Sequence, residues 1–564
     1  MKKKLLSLLL LAIPALCFAQ STTDKIDSIF KDYTGWFVDA IFYEIPFSDT
    51  FQIPWVLIVL IGGALYFTIY FKLINITGFV TALQVVRGKY EDIEKHGVDK
   101  LYGDDAQSED ILEKLKNNDL DSDIIVKSYG DQTPGGDAIE TIRDESADGE
   151  VSHFQALTAA LSATVGLGNI AGVAVALSIG GPGATFWMII AGLLGMASKF
   201  AECTLGVKYR DVGEDGTVYG GPMYYLTKGL KEKGAGKIGK FLAILFAIFV
   251  IGGSFGGGNM FQANQAAAQF TKLFELTGPN AGLYFGIVMA VLVAVVIIGG
   301  IKRIASVTEK VVPFMAGIYV LAALIILGAN WHLIDDAFAL IYHGAFSGLG
   351  IAGGLIGVMI QGIRRGAFSN EAGVGSAAIA HSAVRTKYPA SEGIVALLEP
   401  FIDTVIICTM TALVIIITNF DGQFMQYGVE IKEGVELTAI AFDSVIPHFS
   451  IVLTIAVILF AFSTMISWSY YGMQGWKFLF GKGKITDLVY KVLFLMFVII
   501  GASISLGAVI DFSDAMIFAM VVPNIIGVIM LSPVIKKELK KYMNAIDKKE
   551  EALEDGAVDV NDHI

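Results

Sequence analysis

The chain has 564 residues, of which 54% are hydrophobic and 17% are charged. Soluble globular proteins carry nearer a quarter of charged residues, so this composition excludes a soluble domain and predicts a polytopic membrane protein. The formal charge of −13 indicates no nucleic-acid partner, because much of the acid lies between Tyr90 and Glu150, outside any apolar run. The three cysteines, Cys17, Cys203 and Cys408, imply no disulfide framework.

The chain begins MKKKLLSLLLLAIPALCFAQ, with a lysine-rich start, a short leucine-rich stretch and Cys-Phe-Ala before Gln20. These features predict a secretory signal peptide over residues 1–19, cleaved near Ala19, and leave 20–53 as a periplasmic N-terminal segment. The alternatives are an uncleaved first helix and a lipid attached to Cys17.

A membrane span needs roughly 20 consecutive apolar residues. Eleven runs meet that length approximately and predict an all-α protein with about eleven transmembrane helices. They cover residues 54–73, 154–178, 184–206, 241–268, 281–300, 311–329, 350–382 (interrupted), 393–418, 451–476, 487–507 and 513–533.

The basic residues cluster in alternate linkers, which predicts the orientation of the spans. Lysine and arginine are frequent in 207–240, 301–310, 383–392 and 477–486, whereas 330–349 and 419–450 hold almost none. We therefore expect a multi-pass protein of a bacterial inner membrane with its N-terminus outside. The 74–150 segment then forms an acidic cytoplasmic insert, and residues 536–564 form a cytoplasmic tail.

When the 54–73 span is set aside as an extra helix, the other ten divide into two sets of five, over 151–349 and 350–535. The first helix of each set is interrupted, by VGLGN at 165–169 and by IRRGAFSNEAGVGS at 363–376. Paired interruptions of this kind are typical of secondary transporters built from inverted repeats. Two ordinary glycine-tolerant kinks are the alternative.

An interrupted helix suits an amino-acid ligand. The start of a half-helix offers N–H groups and positive dipole to a carboxylate, while unwound carbonyls offer oxygens to a hard cation. Glycines within VGLGN also remove the side chains that would keep a small ligand from the backbone.

Six stretches carry distinctive motifs, and they read VGLGNIAGVAVALSIGGPGATFWM, GMASKFAECTLGVKYRD, YGGPMYYL, GNMFQANQAA, RGAFSNEAGVGSAAIAH and FSTMISWSYYG. These stretches resemble the alanine or glycine:cation symporter family, also called the sodium:alanine symporters, and the resemblance runs from about residue 50 to 540. The resemblance implies a leucine-transporter-like fold with a five-plus-five inverted repeat, and sodium-coupled uptake of alanine or glycine by alternating access. Two departures are Ile189, where the family has tryptophan, and a long 88–148 insert.

The resemblance also implies a sodium site. Aligned with the similar VGLGN of the leucine-transporter fold, the carbonyls of Ser162 and Val165 would meet the Phe460 carbonyl and the hydroxyls of Ser463 and Thr464. Neutral oxygens of this kind suit a hard monovalent cation. The alternative is that both hydroxyls only bond back to the preceding helical turn.

For the substrate, we expect the backbone of the first break to receive the carboxylate, a polar stripe on the helix at 241–268 to contact the ligand, and two aromatic rings to close a small pocket. Asn264 is the first choice for ligand contact; interhelical bonding by the stripe and core packing by the rings are the alternatives. The residues concerned are Thr164, Gly166, Gly168, Asn259, Gln262, Asn264, Phe368 and Trp468. Such a pocket discriminates alanine from glycine only softly.

Arg364, Arg365 and Glu371 lie in or beside the second break, where a charge must be paired or hydrated. They are interpreted as a gate or scaffold in preference to a ligand for the zwitterion. Three further acids within apolar runs, Glu202, Glu399 and Asp403, are expected to be structural partners, with a protonatable coupling site among them as the alternative.

The histidines are scattered without the spacing of a metal or nucleophile motif, which argues against an enzyme. The expected partners are a small amino acid, sodium as the coupling ion and the lipid bilayer, with no other cofactor and a monomeric state. A proton-coupled symporter and a transporter-like amino-acid sensor are the alternative functions.

Overall fold

The computed structural model describes residues 32–48, 51–103, 128–129, 141–142, 149–213, 216–276, 278, 280–347, 354–420, 422–429, 434–504, 506–557, 559 and 561. The predicted signal peptide at 1–19 lies outside these residues. The described chain is predominantly helical, as predicted, and its short strands form three two-stranded antiparallel pairs.

The first part of the chain contains the strands, the N-terminal helices and the first break. The strands are β1 (Glu44–Ser48), β2 (Phe51–Pro54), β3 (Ser128–Tyr129), β4 (Thr141–Ile142), β5 (Asp211–Val212) and β6 (Val218–Tyr219). The helices are α1 (Trp55–Tyr70), α2 (Ile74–Thr77), α3 (Phe79–Val86), α4 (Glu91–His96), α5 (Val98–Tyr102), α6 (His153–Thr164), α7 (Val173–Gly180), α8 (Gly183–Lys208), α9 (Pro222–Tyr224) and α10 (Leu230–Glu232). Wider π-helical turns occupy Gly168–Gly172 and Tyr225–Gly229.

The rest of the described chain consists of long apolar helices and a few short ones. They are α11 (Gly236–Phe255), α12 (Phe261–Leu273), α13 (Ala281–Ile297), α14 (Gly300–Ala329), α15 (Ile334–Ser347), α16 (Gly354–Asn370), α17 (Ala377–His381), α18 (Pro389–Ala396), α19 (Leu398–Pro400), α20 (Thr409–Thr418), α21 (Gly434–Asp443), α22 (Phe449–Phe480), α23 (Lys484–Gly501) and α24 (Leu506–Glu554). A 3₁₀ turn covers Trp331–Leu333, and π-helical turns cover Gly256–Met260 and Phe401–Cys408.

The predicted interruption at VGLGN is confirmed. Helix α6 begins at a capping box formed by Ser152 and Gln155, which satisfies the first backbone N–H groups. It ends at Thr164, and the chain resumes a helical path at Gly168 after a bend of 51°. Helix α7 ends before Gly181, whose φ of 62° lies in the region that favours glycine.

The second predicted interruption is also confirmed. Helix α16 ends at Asn370, and three residues with positive φ follow before α17 begins: Glu371 (54°), Gly373 (81°) and Gly375 (93°). Glu371 is the unusual member of this set, because a residue with a Cβ atom rarely adopts this conformation. The backbone is therefore held out of helical geometry at this point by the surrounding structure.

The number of spans found among the described residues is lower than the predicted eleven. Among the described residues, six helices are long and apolar enough to cross a membrane, and the bent pair of α6 with the turns after it makes seven. The predicted extra span at 54–73 corresponds to α1, which at 16 residues is a shorter apolar helix, as is α13. The count of eleven and the inverted repeat remain predictions.

The predicted boundary at 535, between the last membrane segment and a separate tail, lies inside one continuous helix. Helix α24 runs for 49 residues from Leu506 to Glu554 and carries the tail lysines on the same helix. Its far end packs on α4 of the insert through a buried ion pair of 2.9 Å between Lys549 and Asp92. The start of the insert and the tail thus stabilise each other at one pole of the bundle.

Candidate substrate and cation site

The first break is held open by two amide side chains. The Gly166 N–H donates to Asn169 Oδ1 at 2.8 Å, and the Leu167 N–H donates to Gln262 Oε1 at 3.4 Å. Both N–H groups lack helical partners because they stand just before the helical turns that begin at Gly168, so each needs an acceptor from elsewhere. Gln262 was predicted to contact the substrate, and the structure places its side chain directly at the break.

The residues of the predicted sodium site converge. The Thr464 hydroxyl donates across the helix pair to the Ser162 carbonyl at 3.1 Å, and the Ser162 hydroxyl donates to the Ser463 carbonyl at 2.7 Å. The Ser463 hydroxyl donates to the Phe460 carbonyl at 3.0 Å, and Val165 is buried at the end of α6 beside them. Thus Ser463 makes the intrahelical bond of the alternative interpretation, whereas Thr464 bonds to α6.

Gly166 explains how these helices approach so closely. A Cβ atom at this position would lie 2.6 Å from Thr464 Oγ1 and 3.5 Å from Gln262 Oε1. The first distance is shorter than any real contact of a Cβ atom, so a side chain here would displace the Thr464 hydroxyl. The glycine therefore allows α22 to place its hydroxyl against the broken backbone.

The two breaks meet at Gly168. A Cβ atom there would make ordinary contacts of 3.7 Å with Phe368 Cδ1 and with Ser369 Oγ. The Phe368 ring is buried and packs edge-on against Phe261, with ring centroids 5.8 Å apart. Phe368 thus lies beside the first break, as its predicted role requires, while Thr164 uses its hydroxyl to bond back to the Ala160 carbonyl at 3.3 Å.

A buried acid joins the two breaks, and its partners were missed in the sequence. Asp403 accepts hydrogen bonds from Asn169 Nδ2 at 2.7 Å, Ser369 Oγ at 2.8 Å and Thr404 Oγ1 at 2.7 Å. Asn169 belongs to the first break and Ser369 to the last turn before the second. Because Asn169 and Ser369 lie within the two interruption motifs, the sequence indicated that both are near the breaks. No sequence spacing, however, links either residue to Asp403.

Two members of the predicted polar stripe, Asn259 and Asn264, make their hydrogen bonds away from the first break. Asn259 Nδ2 donates to the Phe494 carbonyl at 2.7 Å, and Asn264 Nδ2 donates to the carbonyls of Gly501 at 3.1 Å and Ile504 at 2.7 Å. Successive residues of a helix turn by about 100°, so residues 262 and 264 lie on opposite sides of α12. These bonds tie both asparagines to α23 and its end, as in the alternative of interhelical bonding.

Trp468 and Glu371 form a pair within the core. Trp468 Nε1 donates to Glu371 Oε1 at 3.0 Å, and the Ser376 hydroxyl donates to the other carboxylate oxygen at 2.5 Å. The indole lies directly on Gly258, where a Cβ atom would be 2.2 Å from Trp468 Cγ. Trp468 therefore packs in the core, and its polar edge stabilises the strained Glu371.

The two arginines expected at the gate are paired with a residue that the sequence did not single out. Arg364 donates to Asp514 Oδ2 through Nε at 3.1 Å and through Nη2 at 2.7 Å. Arg365 donates to the same oxygen. The Arg364 guanidinium also lies 4.3 Å from the centre of the Phe42 ring in the N-terminal segment. The arginines thus connect α16 to α24 and are separate from Glu371.

Residues 136–555 match the family model described as the sodium:alanine symporter family. That range includes both breaks, Gln262, Asp403 and Thr464. The chain belongs to this family. Among relatives, the sodium/alanine symporter AgcS of Methanococcus maripaludis is 43% identical over 72% of this chain and 86% of its own. The amino-acid carrier protein AlsT of Bacillus subtilis is 38% identical over 70% of this chain and 80% of its own.

A crystal structure of MhsT in complex with L-phenylalanine is also similar, at 13% identity and a TM-score of 0.49, over 71% of this chain and 99% of that one. Membership of the family makes this protein a multi-pass membrane transporter of a class that is not enzymatic. The resemblance seen in the sequence motifs is therefore confirmed.

Proposed function

We propose that this protein is a sodium-coupled symporter that takes up alanine or glycine by alternating access. The observation that carries the proposal is the hydrogen bond from Thr464 to the Ser162 carbonyl, which crosses from an unbroken helix to the broken one. The two residues bring hydroxyl and carbonyl oxygens together in a buried place, and such oxygens are ligands for a hard cation. The names of the family and of its member AgcS support the same ion and substrate.

The substrate is proposed to bind at the two N–H groups after α6. Gly166 and Leu167 present these groups to side-chain amide oxygens, and the bond from Leu167 to Gln262 is long. A carboxylate is a stronger acceptor than an amide oxygen, so it would exchange with Gln262. Phe368 and Gly168 then limit the space for the substrate side chain, which favours a methyl group or a hydrogen.

The energy supply is sufficient for accumulation with one sodium ion. A membrane potential of about 100 mV acting on one charge supplies about 2.3 kcal/mol. A tenfold sodium gradient adds about 1.4 kcal/mol, and the sum sustains roughly a 500-fold accumulation of substrate.

We further propose that the protein acts as a monomer in the inner membrane, with its C-terminus in the cytoplasm.

The test is uptake of labelled alanine and glycine into vesicles that contain the purified protein, with an inward sodium gradient and equal pH on both sides. Accumulation that disappears when potassium or choline replaces sodium supports the proposal. Uptake that ignores sodium contradicts the coupling ion, and saturable binding without uptake would instead identify an amino-acid sensor.

Proton-coupled symport is the second candidate, and Asp403 is the observation that favours it. Its carboxylate is fully buried, and the hydrogen-bond donors it meets in the described chain, Asn169, Ser369 and Thr404, are all neutral. A carboxylate in such surroundings is stabilised by a bound proton or cation. Uptake driven by a pH gradient without sodium, and lost in Asp403→Asn, would establish this alternative.

A further inference from the structure

A histidine at the start of the broken helix is held between two buried carboxylates. His153 is the first residue of α6, and its Nε2 atom lies 2.6 Å from Glu94 Oε2. Its Nδ1 atom is hydrogen-bonded to Glu392 Oε2 on α18. We call Glu94, His153 and Glu392 the acid–histidine triad.

Each carboxylate of the triad is fixed by a second bond. Glu94 Oε1 accepts a hydrogen bond of 2.6 Å from the Tyr542 hydroxyl on α24, and Glu392 Oε1 lies 2.5 Å from His381 Nδ1. The side chain of His153 is 13% exposed, whereas those of Glu94 and Glu392 are 3% and 0% exposed. The triad therefore meets water only at the histidine, at the pole where α4 and the end of α24 pack together.

The hydrogen bonds of the triad require an additional proton. A neutral imidazole has one N–H donor, and an ionised carboxylate only accepts. With a carboxylate oxygen on each ring nitrogen, either the imidazole is protonated on both nitrogens or one carboxyl group carries a proton. The closed triad thus holds at least one proton more than a neutral histidine and two carboxylates do.

We propose that the acid–histidine triad is a proton-binding site that releases its proton to water when the first turn of α6 moves away from α4 and α18. The bound proton holds the three elements together, and its release accompanies their separation. Glu94 lies outside residues 136–555 that match the family model, so the insert supplies one of the two carboxylates of this site. The proposal implies that opening of this pole depends on pH. Its consequence for uptake rests on the proposed transport function: uptake then depends on pH as well.

The direction of the dependence follows from the reference pKa of histidine, which is about 6.5 in water. Above that pH the separated histidine is neutral, so separation releases the proton and is favoured by up to about tenfold for each further pH unit. Below it the separated histidine keeps its proton, and the dependence fades. The elements packed around the triad carry further titratable groups: Lys199, Glu202, Cys203, Glu309, His381, Tyr388, Glu399 and Tyr542. Among these, Lys199 pairs with Glu399 at 2.9 Å.

The test measures the separation directly, without transport. Spin labels are attached at the exposed positions of Phe154→Cys on α6 and Asp99→Cys on α5, which directly follows α4, with the three natural cysteines replaced, and distances are recorded in lipid nanodiscs between pH 6 and 8.5. We expect a population with a longer distance to grow above pH 6.5. A distance distribution that is the same at both ends of the range would overturn the proposal.

Glu94→Gln is the decisive variant. Its amide can donate to His153 Nε2 and accept from Tyr542, so the triad closes with a neutral histidine and no additional proton. We expect its distances to lose their pH dependence. The matched control is Glu91→Gln on the same helix, where the exposed carboxylate pairs with Lys95 and the dependence should persist. If Glu94→Gln responds to pH as the natural protein does, the proposal is wrong.

The same labelled proteins, reconstituted into vesicles so that both distances and uptake are measured, separate this inference from the proposed function. Vesicles that show sodium-dependent uptake but no pH-dependent distance refute only the triad. Vesicles that show the pH-dependent distance but no uptake of alanine or glycine at any pH refute only the proposed substrate.

Discussion

The two interrupted helices differ in the chemistry that keeps them open. At the first break, neutral groups satisfy the backbone: Asn169 and Gln262 supply amide oxygens, and Thr464 supplies a hydroxyl. At the second, the strained Glu371 is held by Trp468 and Ser376. A neutral break can exchange its hydrogen bonds for a ligand at low cost, whereas a buried charge that loses its partners is strongly destabilised.

The second interrupted helix also has charged groups before and after its break. Arg364 and Arg365 pair with Asp514 before it, and His381 pairs with Glu392 after it. The comparison assigns ligand exchange to the first break and mechanical support to the second. Four substitutions test this assignment.

The largest expected effect is at Gly166. In Gly166→Val the new side chain would meet Thr464 Oγ1, because a Cβ atom alone would lie 2.6 Å from it. We expect sodium-dependent uptake to fall by about 100-fold or more, since a misplacement of about 1 Å at a site can cost that much. The control is Gly172→Ala, because no atom lies within 4 Å of a Cβ atom there. Equal uptake by both variants would contradict the placement of the site.

Asp514→Ala tests the supporting role of the second helix. It leaves the guanidinium groups of Arg364 and Arg365 without their shared anion, and breaking a buried pair costs about 3–5 kcal/mol. We expect a clear fall in the midpoint of thermal unfolding in detergent. The exposed carboxylate of Glu91, removed in Glu91→Ala, should change that midpoint little. An unchanged midpoint for Asp514→Ala would show that the arginines are not structural.

Thr464→Val removes the hydroxyl while keeping the shape of the side chain. Hydrogen bonds to charged groups are worth about 1.5–3 kcal/mol, so the sodium concentration for half-maximal uptake should rise about tenfold to 100-fold. Thr464→Ser, which keeps the hydroxyl, should remain close to the natural protein. A sodium dependence that is the same in all three proteins would remove Thr464 from the cation site.

The smallest effect is expected at Asn264, which bonds to the carbonyls of Gly501 and Ile504. We expect Asn264→Ser to change the KM for alanine by less than about threefold, because interhelical bonds of this kind are worth about 0.6 kcal/mol. Gln262→Ser, on the opposite side of the same helix, should raise the KM more strongly. A large rise for Asn264 alone would restore it as a ligand contact.

Much of the candidate site could be predicted from local sequence. VGLGN contains its own cap, because Asn169 reaches back to the Gly166 N–H three residues earlier. Relations across the chain were less accessible. Asp514 and Asp403 lie 149 and 34 residues from Arg365 and Ser369, with which they bond, and no periodicity links such distant positions.

Membership of the family, the crossing of a membrane and the interruption of two helices can all be predicted from the amino-acid sequence. These properties depend on composition and on short runs of residues, since apolar length and glycine-rich breaks act locally. The partners of the buried polar groups are visible only in the folded molecule: Thr464 with Ser162, Asn264 with α23, and Glu94 with His153. Those pairings depend on how the helices rotate and pack, because one residue of rotation turns a side chain by about 100°.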